Sequence, residues 1–526
     1  MTIRGTIKSG AYFDSVTLMT VAQNLRTQHG VVDAAVVMGT PENKGILKSA
    51  GLLLDEFAAA RDADLLVVVK VKTEKIADAL FNNLDQHLAV NTNTAVTKQE
   101  TRPRTIAGAL TTLPGANLAV ISVAGRFAGA VAQECLEKGL HVMLFSDNVP
   151  LETEIELKQF AQKKGLLVMG PDCGTAIISG VPLAFANAVQ RGPIGIVAAA
   201  GTGLQEVSTL ISNMGAGISQ AIGTGGRDVK QDVGGITFLQ GLKLLAHDPA
   251  TRVIVLVSKP PHPTVLKKIM TACKSIRKPI ITVFLGGDAR LLKGSKVKAC
   301  ATLEEAAQTA VAAVCKRPAL SSDRAEKALA KTAAARLKKG QSYLRGLFSG
   351  GTFCTEAQLI CKNIIGEVYS NVPLTPELKL KNSLESVANT IIDLGEDEFT
   401  VGRPHPMIDF SLRNQRIIAE AKDARVAVIL LDVVLGYGAN LQPLADLVPA
   451  LTAAFATARK GKRQLRMVAS VTGTNNDPQN RRAVVKGLEQ AGVLVMPSNA
   501  AAARLAAQII RLLPQKNTKF TKTQAR

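Results

Sequence analysis

Seven short turns, at residues 123–125, 146–148, 170–175, 201–203, 223–228, 349–352 and 473–475, follow apolar runs and lead into helix-like or polar segments. Most are built on glycine, which lets backbone approach a ligand closely, and a helix that starts there presents unpaired N–H groups to an anion. A single such turn is ordinary chain reversal. Seven of them point to phosphate or carboxylate binding. The candidate contacts are Asn148, Asp172, Gly174, Thr175, Gly201, Thr202, Gly203, Gly225, Gly226, Gly350, Gly351 and Thr352.

Two further features could carry chemistry. Arg227, inside a glycine-rich turn, offers a planar fork for an oxyanion; its alternative role is a surface ion pair with the adjacent Asp228. The string GRPHPMID (402–409) holds His405 between prolines, with Arg403 and Asp409 close by. It could place an imidazole for proton transfer and a guanidinium for an anion, or His405 could simply cap a helix beginning near Ser411. The catalytic candidates are therefore His405, Arg403 and Arg227. No GxxxxGK[ST], HExxH or Ser-His-Asp order occurs, and the six histidines form no ligand pairs, so no metal site is expected.

The elements that must position these residues are legible from periodicity. Residues 1–98 alternate strand, helix, strand, strand, helix and imply a small α+β domain, ferredoxin-like in pattern. A polar stretch from 91 to 114 reads as a linker. From 115 to 190, and again from 191 to 315, uninterrupted apolar strands alternate with amphipathic helices, the pattern of a parallel sheet covered on both faces. A basic, Ala-rich stretch at 316–340 reads as a helical linker, 341–512 as a third α/β region, and 513–526 as a basic tail. The fold class is α/β: tandem Rossmann-like and flavodoxin-like doubly wound parallel sheets, with the small α+β domain at the N-terminus.

Bulk composition narrows the partners. The chain of 526 residues suits several domains, and its net charge of +21 favours an anionic partner. Aromatics make up 4% and Trp is absent, so the stacking platforms of a nucleic-acid binder are scarce. No run reaches the roughly 20 apolar residues of a membrane span. The start, MTIRGTIKSG, lacks a signal-like apolar segment, so the cytoplasm is the expected compartment. Seven scattered cysteines without CxxC argue against a disulfide framework.

The strings RGPIGIVAAAGTGLQEV, AIGTGGRDVKQDVGG and MGPDCGTAI resemble the succinyl-CoA synthetase superfamily. In SDNVPLE, MGPDCGTAI, GTGGRD, VGRPHPMID and LLDVVLGYG the chain is similar to the FdrA family nearly letter for letter. The resemblance implies that 115–190 is a CoA-binding-like Rossmann domain, 191–315 a flavodoxin-type ligase domain of the α subunit, and 341–512 the carboxyl-terminal domain of the β subunit. It also exposes two departures. The family's phosphohistidine loop is replaced by GGDARLLKGSKVK, without histidine, and no ATP-grasp domain precedes the third region.

ATP-driven ligation by this chain alone is therefore not expected. The FdrA resemblance implies instead a carbamoyltransferase subunit of purine-nitrogen catabolism, interconverting oxalurate plus phosphate with oxamate plus carbamoyl phosphate. In that reading Thr202, Gly203 and Gly225 amides hold phosphate, Arg227 or Arg403 balances charge, and His405 moves a proton. No cofactor is required beyond phosphate or carbamoyl phosphate as substrate, and other carbamoyltransferase subunits in an oligomer are the expected partners. The alternatives are an acyl-CoA synthetase component that binds CoA, and a non-catalytic subunit that binds an anionic effector.

Overall fold

The computed structural model describes residues 1–11, 15–89, 103–292, 296–315, 323–400 and 404–513. The chain divides into two compact units, Met1–Pro150 with Asp397–His405, and Leu151–Glu396 with Pro406–Arg526. This division falls inside the region read from sequence as one Rossmann domain at 115–190.

The first unit begins with β1 (Thr2–Lys8), α1 (Ser15–Thr27), β2 (Val31–Met38), α2 (Pro41–Ser49), β3 (Leu65–Val71), α3 (Glu74–Asn82) and α4 (Leu84–Ala89). Its antiparallel sheet has the order β1-β3-β2. The central strand, LLVVVKV, is apolar on both sides because helices cover one face, with Leu18, Val21 and Leu25, and Leu47, Leu52 and Phe57 pack on the other. Part of the stretch read as a linker is helical: α5 (Ile106–Thr112) starts at Thr105, whose hydroxyl accepts the Gly108 N–H. Residues 91–102 of that stretch lie outside the described residues. Then come β4 (Leu118–Ile121), α6 (Gly125–Glu137) and β5 (His141–Leu144), with β4 and β5 parallel.

The larger unit consists of two α/β halves. The first contains α7 (Leu151–Lys164), β6 (Val168–Met169), β7 (Thr175–Ile178), β8 (Val181–Ala184), β9 (Arg191–Ala198), α8 (Gly201–Asn213), β10 (Ile218–Gly223) and α9 (Ile236–His247). It continues through β11 (Val253–Ser258), α10 (Pro263–Lys274), β12 (Ile280–Phe284), β13 (Val297–Ala299) and α11 (Leu303–Cys315). Its sheet runs β13-β12-β11-β9-β10-β7-β8, parallel from β13 to β10 and closed by the antiparallel hairpin β7-β8.

After α12 (Asp323–Ala334), the second half has β14 (Tyr343–Phe348), α13 (Gly351–Ile365) and β15 (Thr390–Asp393). The short α14 (Asp397–Thr400) belongs to the first unit. The half ends with α15 (Ser411–Glu420), β16 (Val426–Val434), α16 (Pro443–Lys460), β17 (Arg466–Thr472), α17 (Arg481–Gln490), β18 (Leu494–Met496) and α18 (Asn499–Arg511). All five strands are parallel, in the order β15-β14-β16-β17-β18. Strands such as β16, VAVILLDVV, are buried along their whole length, as a sheet covered on both faces requires.

One hydrophobic core runs through both halves, joining Ile196, Leu204 and Val207 to Phe353, Ala357, Ala503 and Leu505. The alanines of α18 let it lie close to α13. The segment read as a basic linker is a packed helix over α12, because its apolar stripe (Ala330, Ala333) is buried and its Glu326 is bonded to Arg504. Residues 316–322 of that segment, and the tail after Leu513, lie outside the described residues.

Candidate functional site

The strand β9 ends in AAAG and β14 in FSGG, and each chain turns at once into a helix. Two contacts bring the two helix starts together, and a third sets the first of them against β7. A Cβ on Gly350 would lie 2.9 Å from Thr202 Cγ2, and one on Gly203 would lie 3.1 Å from Thr352 Cγ2. One on Gly201 would lie 3.7 Å from Thr175 Oγ1. A side chain at 203 or 350 would press on the facing turn, tightly at 350, where Phe353 and Thr202 would have to shift, and more mildly at 203.

The N–H groups of Gly201, Thr202, Gly203, Gly351, Thr352 and Phe353 have no hydrogen-bond partner among the described residues. The starts of two helices, each with its positive dipole end and unpaired N–H groups, thus lie beside each other, an arrangement that can attract an oxyanion. Gly223 and Gly225 stand beside this place: their Cβ atoms would collide with Thr175 O and Pro171 O at 2.3 Å each.

The second turn is braced from below. Asp432, buried in β16, accepts the N–H groups of Ser349 (2.9 Å) and Gly350 (2.9 Å) and the Ser349 hydroxyl (2.8 Å). Arg413 neutralises it at 3.2 Å and stacks over Phe410, 4.2 Å from the ring centre. Burial raises the Asp432 carboxyl while Arg413 and the N–H donors hold it down, and burial lowers Arg413. Asp393, at the end of β15, has its carboxyl pushed up to about 7, chiefly by burial.

The first half is braced differently. Lys158, fully buried in α7, bonds to Glu154 (2.8 Å), to Asp228 (2.8 Å) and to the Thr224 carbonyl (3.1 Å). Asp228 also accepts the N–H groups of Thr237 and Phe238 at the start of α9. This corrects the expected Arg227–Asp228 pair: Asp228 points inward, and Arg227 pairs with Glu154 at 2.8 Å.

The other sequence candidates distribute as follows. Gly226 has open space, with Ala199 O 4.0 Å from its Cβ position, while Gly174 lies near Phe185 at 3.8 Å. Asp172 has a positive φ of 53°. Asn148 belongs to the first unit, where a Cβ on Gly125 would lie 2.6 Å from its carbonyl carbon. The turn at Gly473 accepts from Asn213, the last residue of α8, a full helix length from Gly201, so it is not part of this cradle.

His405 is lowered to about 4 by burial, which leaves a neutral ring at pH 7 and a poor proton donor. Its alternative role as a helix cap falls to Asp409, which accepts the Ser411 N–H at 2.8 Å. Arg403 lies outside the described residues.

Sequence reasoning missed Asp393, Asp432, Arg413 and two glutamates. Glu206 and Glu356 each lie five residues after the opening glycine of α8 and α13, and each reaches into the opposite half. Glu206 accepts from Asn499 N–H (2.8 Å) and from the Thr472 hydroxyl (2.5 Å). Glu356 accepts from Leu303 N–H and from the Asn499 side-chain amide, both at 2.7 Å. Each therefore caps the last helix of a half. Burial raises both carboxyls, Glu356 to about 7. An acid within or at the end of an otherwise apolar strand, as in VAVILLDVV and TIID, was the available signal for the two aspartates.

Comparison with known proteins adds family context. A family described as CoA-ligase matches residues 347–509, one described as CoA binding domain matches 189–286, and one described as AllF, heavy metal-associated domain, matches 1–104. The CoA-binding match falls on the half that holds α8, not on 115–190. Residues 1–104 contain no cysteine, and among the described residues no group of three His, Cys, Asp or Glu side chains could hold a metal ion, so they do not fit a heavy-metal site.

The malate–CoA ligase subunit alpha of Methylorubrum extorquens is 24% identical over 33% of this chain and 60% of its own length. The succinate–CoA ligase [ADP-forming] subunit alpha of Aquifex aeolicus is 28% identical over 28% of this chain and 48% of its own length. The chain thus spans about half to three-fifths of these two ligase subunits. Uncharacterized protein YahF of Escherichia coli (strain K12) is 41% identical over 97% of this chain and 99% of its own. With this full-length relative and the CoA-ligase and CoA-binding matches, the chain belongs to the FdrA-like family of succinyl-CoA synthetase-like proteins.

Proposed function

We propose that this chain is an acid-CoA-ligase-type subunit, in which the starts of α8 and α13 hold phosphate or the phosphoryl end of an activated acid. One observation carries the reading: two glycine-led helices from different halves meet at Thr202 and Gly350, with six unpaired N–H groups. The CoA-ligase and CoA-binding family matches support CoA as the acceptor. The helix starts bind and orient the phosphoryl oxygens and stabilise the charge that grows on them as the acyl–oxygen bond breaks.

The test is incubation of the purified chain, alone and with partner subunits, with an acyl phosphate and CoA, measuring thioester and released phosphate. Gly350→Val, which drives a side chain into Thr202, is expected to abolish turnover and phosphate binding together. Phosphate binding that survives this substitution unchanged rejects the reading.

A second reading is transfer of a carbamoyl group between phosphate and a ureido acid such as oxalurate. It is favoured by the segment after β12, GGDARLLKGSKVK, which has no histidine to carry a phosphoryl group. Phosphate-dependent release of carbamoyl phosphate from oxalurate, without thioester formation, would select it over the first.

A further inference from the structure

Asp393 closes β15 and is 2% exposed. Its main chain is locked to Asn371, donating to Oδ1 at 3.0 Å and accepting from Nδ2 at 2.9 Å, and its own Oδ1 accepts the Gly395 N–H at 2.9 Å. Its Oδ2 is different. It has no hydrogen-bond partner among the described residues, and a Cβ on Gly351 would lie 2.6 Å from it. Gly351 is the first residue of α13, so this unpartnered oxygen lies against one of the two helix starts that form the anion cradle.

A carboxylate is a poor neighbour for an oxyanion. Two like charges brought close in a partly buried site repel, because little water screens them. A neutral carboxyl in the same place is instead an O–H donor, and it supplies what the six backbone amides lack, a proton that can be gained and lost. Resting on the reading of the two helix starts as an anion site, we propose that Asp393 is a proton-linked gate: its neutral Oδ2–H donates to an oxygen of the bound tetrahedral oxyanion, and its ionisation expels that anion.

Its surroundings suit the role. Burial pushes the Asp393 carboxyl up to about 7, and the charges of Glu396 on its own segment and Asp432 in β16 add to this. The Gly395 N–H and Lys259, which follows β11, oppose it. The remaining titratable neighbour, Cys354 on α13, is pushed well above its usual range and stays neutral. The gate therefore works near neutral pH, where a small change in environment alters its charge.

The experiment is calorimetric titration with sulfate, whose charge is constant between about pH 5.5 and 8.5, so that any proton linkage belongs to the protein. For the native chain, affinity is expected to fall by up to about tenfold per pH unit above 7. Repeating the titration in two buffers of different ionisation enthalpy should show uptake approaching one proton per sulfate at the alkaline end. Asp393→Asn keeps the shape and a donor, and should bind sulfate with no pH slope. Gly203→Val, which fills the junction without touching a charge, should lose the binding and so locates it.

Sulfate bound equally at both ends of the range without proton uptake, or an unchanged slope in Asp393→Asn, overturns the gate alone. Absence of sulfate binding at every pH, or binding that survives Gly203→Val, overturns the anion-site reading and the gate with it. The proton-uptake measurement needs only the native chain, so it decides the matter even if Asp393→Asn does not fold.

Discussion

The two halves of the larger unit begin their key helices alike and support them differently. Each ends a buried strand in small residues, starts a helix at glycine, and places a glutamate five residues on, Glu206 in one half and Glu356 in the other. The first half is braced by a buried lysine held between Glu154 and Asp228, whereas the second is braced by Asp432, which takes up the N–H groups of Ser349 and Gly350 directly. The second half also carries Asp393 against its helix start. The comparison teaches that similar βα turns can be supported unequally: in the proposed anion site both halves offer backbone donors, and only the second places a carboxyl, Asp393, against its helix start.

The largest effects should come from the braces. Lys158→Met leaves Asp228 buried without its cation and Glu154 with Arg227 alone, and Asp432→Ala leaves Arg413 without its carboxylate and two backbone N–H groups unpaired. Each should cost about 3–5 kcal/mol in denaturant unfolding. A loss below about 1 kcal/mol in either would break the claim that the halves rest on buried ion pairs.

The glutamates sharpen the likeness. The folded chain keeps a proton on Glu356 up to about pH 7, whereas the ordinary value is 4.5. Between those values the folded state binds the proton and the unfolded state does not, so stability falls as pH rises through that window, by at most about 1.4 kcal/mol per pH unit. Glu356→Gln should flatten that fall in melts taken across the range, and Glu206→Gln should do so in the same direction. A response from only one would show that the two cross-caps are not equivalent.

His405 has the opposite sign. With the folded value at about 4 against an ordinary 6.5, stability falls as pH drops from 6.5 towards 4, because only the unfolded chain takes up the proton. His405→Gln should remove this acid-side loss; melts that keep the same acid slope would contradict its burial as a neutral ring. The smallest effect belongs to Arg227, whose side chain is 44% exposed beside Glu154. Arg227→Ala should cost no more than about 1 kcal/mol, and a larger loss in sulfate affinity than in stability would bring it into the cradle.

Strand and helix order was legible because burial on both faces writes itself into composition: VAVILLDVV, VIVLVS and PIITVF can be little else than covered parallel strands. Glycine turns were legible for the same local reason. Partners were not. Arg227 was set beside Asp228 because they are adjacent, yet Asp228 turns to Lys158, 70 residues away, since a buried carboxylate needs a buried cation and the exposed arginine cannot follow it inward. The stretch at 316–340 was read as a linker because charge hides its apolar stripe until α18 packs against it.

By itself the sequence determined the local parts of this protein: the α/β class, the small N-terminal domain, the glycine-led starts of α8 and α13, and the absence of histidine from the segment GGDARLLKGSKVK that follows β12. Only the tertiary structure decided that Thr202 meets Gly350, that Asp393 lies against Gly351, and that Glu206 and Glu356 cap helices of the opposite half. The reason is physical. Propensity and periodicity act over a few residues, whereas these contacts join positions from 42 to 293 residues apart, held together by one shared hydrophobic core.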